Sequence, residues 1–105
     1  MMKIISKPRI IIFTSHAKSK MNFYKLSEQK IKGIIHMPLR CEIGIAPNTI
    51  AVMKQFGNGK NKSEIWTMYT DLKNERRIIS AWRYPGITKP GEPLPKEIMD
   101  QLINI

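Results

Sequence analysis

Acidic residues are scarce in this chain. Eight Asp and Glu stand against eighteen Lys and Arg over 105 residues, for a formal net charge of +10. A field of that sign attracts phosphate backbones, anionic membranes or an acidic protein. Charge alone speaks about association and not fold, so a basic protein with no polyanion partner is the plain alternative. A single cysteine, Cys41, excludes an internal disulfide and fits a reducing, cytoplasmic setting. Only two histidines are present, His16 and His36, on different expected helices with few carboxylates nearby. No zinc or iron spacing results, so neither a metal nor a cofactor is expected. No run of 18 apolar residues occurs, which argues against a membrane span. The opening "MMKIISKPRIIIF" is broken by Lys7, Pro8 and Arg9, and no small-residue cleavage site follows, so a signal peptide is not expected. No Gly-rich phosphate loop precedes a helix, because "GNG" sits in a hairpin turn, and no Ser-His-Asp set can be argued.

What is present is unevenly distributed. Residues 1–40 carry nine Lys and Arg against Glu28 alone, a net of +8, whereas residues 41–105 carry nine against seven, a net of +2. The length suits one domain over residues 1–105, with a core at 9–86 and a loop plus C-terminal helix over 87–105. "RIIIF" (Arg9 to Phe13) reads as a short strand, after which Thr14 or Ser15 caps a helix. Ala17, Met21 and Tyr24 recur at helical spacing and face the core, with His16 and Lys20 on a neighbouring stripe. Ser27 caps a second helix whose Ile31, Ile34 and Ile35 are inward, with Glu28 in the first turn and Pro38 at the end. Gly33 is expected to allow a close helix crossing.

The period then changes from helical to alternating. Residues 40–45, 49–56, 63–70 and 75–84 are rich in Ile, Val, Trp, Tyr and Thr, and short turns join them. That pattern implies an antiparallel meander. "PKEIMDQLINI" reads as a last helix. The expected fold is α+β: an N-terminal strand and two helices packed on a four-stranded antiparallel meander, closed by a short C-terminal helix.

Within "RRIISAWRYPG", period 2 puts Ile78, Ser80, Trp82 and Tyr84 on one face and Ile79, Ala81 and Arg83 on the other. Trp66 and Trp82 are expected in the core. Arg83, between two aromatics at a strand end, either pairs with Glu64 on the adjacent strand or is available to a phosphate. His16 is either a surface residue of the first helical turn or a general base, its pKa lowered by Lys18 and Lys20. Arg40, Arg76 and Arg77 are solvated strand-end charges or, alternatively, phosphate contacts, and Lys18 and Lys20 of the first helix are further candidates to bind nucleic acid.

"FTSHAKSKM", "LSEQKI", the helix end at Pro38 and "RIISAWRYPG" together resemble a small bacterial domain family of unknown function. Its pattern is His-Ala-x-x-Lys/Arg-Met, a second helix and a meander ending in an apolar strand. That family is similar to the BrnT and RelE-like toxins, and the resemblance covers residues 10–86. It implies helices packed against an antiparallel sheet and RNA cleavage without a metal. It also implies an acidic antitoxin partner, and a late-strand arginine and tyrosine at Arg83 and Tyr84. His16 and Lys20 fall in the family's own motif. The long "APNTIAVMKQF" strand and the tail after Gly86 depart from a minimal toxin. Two functional expectations therefore stand side by side. One is a metal-independent ribonuclease with His16, Arg83 and Tyr84 catalytic. The other is a non-catalytic nucleic-acid-binding module, or a basic domain that binds an acidic protein.

Overall fold

A computed structural model describes residues 9–90. The elements, in chain order, are β1 (Ile10–Phe13), α1 (Ser15–Tyr24), α2 (Glu28–His36), β2 (Arg40–Ile43), β3 (Ile50–Phe56), a single 3₁₀ turn (Gly59–Asn61), β4 (Ser63–Asp71) and β5 (Glu75–Pro85). The α+β class is as expected. The sheet differs: it has five strands, ordered β1-β5-β4-β3-β2. β1 does not lie apart from the meander. It joins the meander as an edge strand, parallel to β5, with Ile10 opposite Glu75 and Phe13 opposite Ile78. A parallel neighbour needs a long crossover and no tight turn announces it, so a four-residue strand gave no sign of its partner. The expected C-terminal helix lies outside the described residues.

Both helix starts follow from side-chain capping. Thr14 Oγ1 accepts the Ala17 N–H (3.1 Å) and also donates to the Ile78 carbonyl (2.8 Å), tying the start of α1 to β5. Ser27 Oγ accepts the Lys30 N–H (3.0 Å) at the start of α2. Between them Lys25 adopts the left-handed conformation (φ 58°), and the Leu26 N–H closes α1 on the Met21 carbonyl (2.8 Å). Gly33 meets open space, so no close helix crossing forms there.

The sheet is covered on both faces. The helix side holds Ala17, Met21, Ile31, Ile34, Val52, Ile65, Tyr69, Ile78 and Ala81. The opposite side holds Ala51, Met53, Trp66, Met68 and Trp82. Trp66 and Trp82, cross-strand partners, are each 1% exposed, with ring centroids 5.9 Å apart and planes 4° from parallel. Both are core, as their residue type predicts.

The expected face assignment of β5 needs one correction. Met68 lies opposite Ser80, but Tyr69 lies opposite Ile78, so Ile79 is an extra residue in the ladder. This bulge puts Ile78 with Ala81 on the helix side and Ile79 against the tryptophan side. Past the end of β5, Gly86 (φ 108°) turns the chain back and bonds the Lys62 carbonyl (3.0 Å). Thr88 is thereby brought over Glu64, where its N–H donates to Oε2 (3.0 Å) and its hydroxyl to Oε1 (2.7 Å).

Candidate nucleic-acid interface

The arginines of the sheet are largely spoken for. Arg76 binds Asp71 in a fork (Nε to Oδ1 2.7 Å, Nη2 to Oδ2 2.9 Å) and lies 4.2 Å from the centre of the Tyr69 ring. That hydrogen bond holds the Asp71 carboxyl below the usual range and raises the guanidinium above its own. Arg9 adds a looser contact to Asp71 at 3.7 Å. Arg77 pairs with Glu75 (3.1 Å). Arg40 donates to the Thr88 carbonyl (2.9 Å) and hydroxyl (2.6 Å), pairs with Glu42 (3.0 Å) and covers the Trp66 ring (5.2 Å). Arg40 and Arg76 are therefore held within the fold, whereas Arg77 is an exposed strand-end charge, as expected. Each pairs with a strand carboxylate, and Arg40 is also held by Thr88.

The helical layer has a different charge balance. Over residues 15–36 stand Lys18, Lys20, Lys25, Lys30 and Lys32, with Glu28 as the one carboxylate. Lys30 Nζ rests 4.6 Å from the centre of the Phe56 ring. The pairs Arg9–Asp71, Arg40–Glu42, Arg76–Asp71 and Arg77–Glu75 all use arginines, and their carboxylates are on strands. Of the fold's other carboxylates, Glu64 is fully buried beneath Thr88 and also accepts the Trp66 indole N–H (2.9 Å). Lysines thus outnumber carboxylates five to one on the segment that forms α1 and α2. Lys25, Lys30 and Lys32 belong to this surface although sequence reasoning singled out only Lys18 and Lys20. The signal was there in the +8 balance of residues 1–40.

His16 sits in the first turn of α1, partly buried, with Nε2 enclosed and without a hydrogen-bond partner. Burial is the main cause that pushes its pKa below the ordinary value, and Lys20 is the second. Lys18, two positions along, is rotated away on the helix, and does not contribute.

Arg83 points to the helix side, where Nη2 donates to the Tyr24 carbonyl at the end of α1 (3.3 Å). A cation there is favoured by the helix dipole. The considered pair with Glu64 does not form, because Glu64 lies opposite Tyr84 and faces the tryptophan side, whereas Arg83 lies opposite Ile65. Tyr84 packs at the margin of the tryptophan cluster. His16 and the carbonyl that Arg83 holds are at opposite ends of α1, about 12 Å apart at 1.5 Å per residue. The structure therefore does not bring His16, Arg83 and Tyr84 into one site. It does bring His16 and Lys20 together, on one stripe of α1.

Among the described residues no three His, Cys, Asp or Glu side chains are grouped to hold a metal ion, and no helix is long and apolar enough to cross a membrane. No family model, curated protein or solved structure matches the chain.

Proposed function

We propose that this protein is a toxin-like RNA-interacting protein that holds RNA on its helical layer. The observation that supports the reading is the partition of charge: strand carboxylates pair with arginines, and five lysines over residues 15–36 face one glutamate. The resemblance to BrnT and RelE-like toxins supplies RNA as the polyanion. An acidic antitoxin would compete for the same lysines. Binding of a fluorescent single-stranded RNA should weaken steeply between low and physiological salt, because association releases counterions. A flat salt response, or no binding at low salt, contradicts the reading.

A second reading, metal-independent cleavage, is favoured by His16 alone. Its lowered pKa keeps the imidazole neutral near pH 7, the form a general base needs. In that reaction the base takes the 2′-hydroxyl proton and the oxygen attacks the adjacent phosphorus. The 5′-oxygen of the next nucleotide then leaves, giving a 2′,3′-cyclic phosphate. Lys20, one turn along, offsets the developing charge. Cleavage by purified protein in EDTA, ending in cyclic phosphates and reduced about 10²–10⁴-fold by His16→Ala, is the expected result. RNA bound but uncut would leave the binding function without the enzyme.

A further inference from the structure

Phe23 is 72% exposed, on the helix that carries the lysines. The face that α1 buries uses Ala17 and Met21, with Tyr24 partly buried against both hydrophobic clusters. Phe23 is the next residue round and contributes nothing to either cluster. Its ring is nevertheless held: it meets Tyr24 edge to face, with centroids 4.8 Å apart and planes at 86°. A T-shaped contact leaves at least one broad face of each ring outside it, and the exposure of Phe23 leaves that face open to another partner.

The position of that ring on the helix matters as much as its exposure. His16, Lys20 and Phe23 are at i, i+4 and i+7, which puts them within about 60° of one another around α1 and spreads them over about 10 Å. An oriented aromatic face, an ammonium one turn away and an imidazole one turn further form a single line. Lys25 continues the positive charge just past Phe23, at the left-handed end of α1. A buried use for the phenyl ring is absent among the described residues, and the local field suits a polyanion rather than an apolar surface.

We infer that Phe23 is a stacking platform for an unpaired base of single-stranded RNA, whose backbone runs along the α1 stripe past Lys20 toward His16. This rests on the RNA-binding reading and adds to it a strand class. Stacking needs an exposed base face, which a duplex withholds, whereas the lysines alone would accept either form. The affinity is expected to tolerate changes of sequence, because every base presents a π-face.

The test compares an unstructured fluorescent 12-nucleotide RNA with its blunt duplex, at one fixed low salt concentration. Wild-type protein should prefer the single strand. Phe23→Ala should weaken single-strand binding by about 5- to 150-fold, the range for one base–aromatic stack, and leave duplex binding unchanged. Phe23→Leu should fall with it, since it keeps the apolar bulk and loses the π-face, whereas Phe23→Trp should bind at least as well as wild type. Melting temperatures of all variants should match wild type, given the exposure of the ring. If RNA binds but Phe23→Ala leaves single-strand affinity unaltered, the platform is wrong and the lysine interface stands. If wild type binds no RNA at low salt, both fail together. If wild type sediments as a dimer and Phe23→Ala as a monomer, the ring belongs to a contact between two copies, and the inference is overturned.

Discussion

Glu64→Gln should destabilise this protein by more than half as much as Glu64→Ala. Glu64 has no exposed surface, and its two oxygens accept three donors: the Trp66 indole N–H and Thr88 hydroxyl at Oε1, and the Thr88 N–H at Oε2. The Thr88 hydroxyl in turn accepts from Arg40 (2.6 Å). Removing the carboxylate leaves two N–H donors buried without an acceptor, each costing about 1–3 kcal/mol. It also leaves the Thr88 hydroxyl, which accepts from Arg40, without its own acceptor. A total of about 3–5 kcal/mol is expected for Glu64→Ala. That is a large share of the 5–15 kcal/mol typical of a small domain. The glutamine keeps the volume but puts an amide N–H₂ where one oxygen stood, so a donor meets a donor, for a loss of about 2–3 kcal/mol. With a urea dependence of about 1.5 kcal/mol/M, the unfolding midpoint should fall by about 2–3 M for alanine and 1–2 M for glutamine. Thr88→Val should lose about 1–3 kcal/mol, and the double variant with Glu64→Ala should lose less than the sum. A Glu64→Gln midpoint equal to wild type would refute the reasoning, since it would mean that the carboxylate is not gathering those donors.

Trp82→Ala should cost about 3–5 kcal/mol by leaving a cavity beside Trp66, whereas Arg83→Ala, which loses one 3.3 Å bond to a helix-end carbonyl, should cost about 1 kcal/mol or less; equal losses in urea titrations would contradict the separate placement of the two side chains. Burial and Lys20 hold the His16 imidazole below the ordinary histidine value of 6.5, so the unfolded chain takes up its proton first as pH falls. Its contribution is fully present above pH 6.5 and is lost as pH falls from there through the folded value, so His16→Asn should flatten that part of a stability–pH profile. An unchanged profile would mean that burial of the ring does not disfavour its charge.

The helices were legible because their signals are local. Thr14 and Ser27 are capping residues directly ahead of apolar repeats, and Met21 and Ile34 follow at helical spacing. The four later strands stand within a few residues of where their β-branched runs put them. The bulge was not legible, because Ile78 and Ile79 are both isoleucine, and a slip of one residue exchanges like for like. The fate of the arginines divides in the same way. Arg76 and Asp71 flank one hairpin turn and are register partners, so their pairing follows once the hairpin is accepted. Arg40 and Thr88 are 48 residues apart, and only the turn at Gly86 brings them together. Phe23 was passed over because the periodicity of Ala17, Met21 and Tyr24 defines a buried face and says nothing of an aromatic outside it.

The central claim is that lysines of the helical layer, rather than net charge as such, hold RNA. The direct measurement is the salt dependence of single-stranded RNA binding for two variants that each lower the formal charge of +10 by three. One changes Lys18, Lys25 and Lys32 to glutamine, and the other changes Lys60, Lys73 and Lys89, which lie outside α1 and α2. Each phosphate contact on a single strand adds about 0.7 to the slope of log K against log salt. The helix variant should therefore lose about 2 from the wild-type slope, while the second variant keeps it within about 0.5. Equal slopes in the two variants would contradict the account.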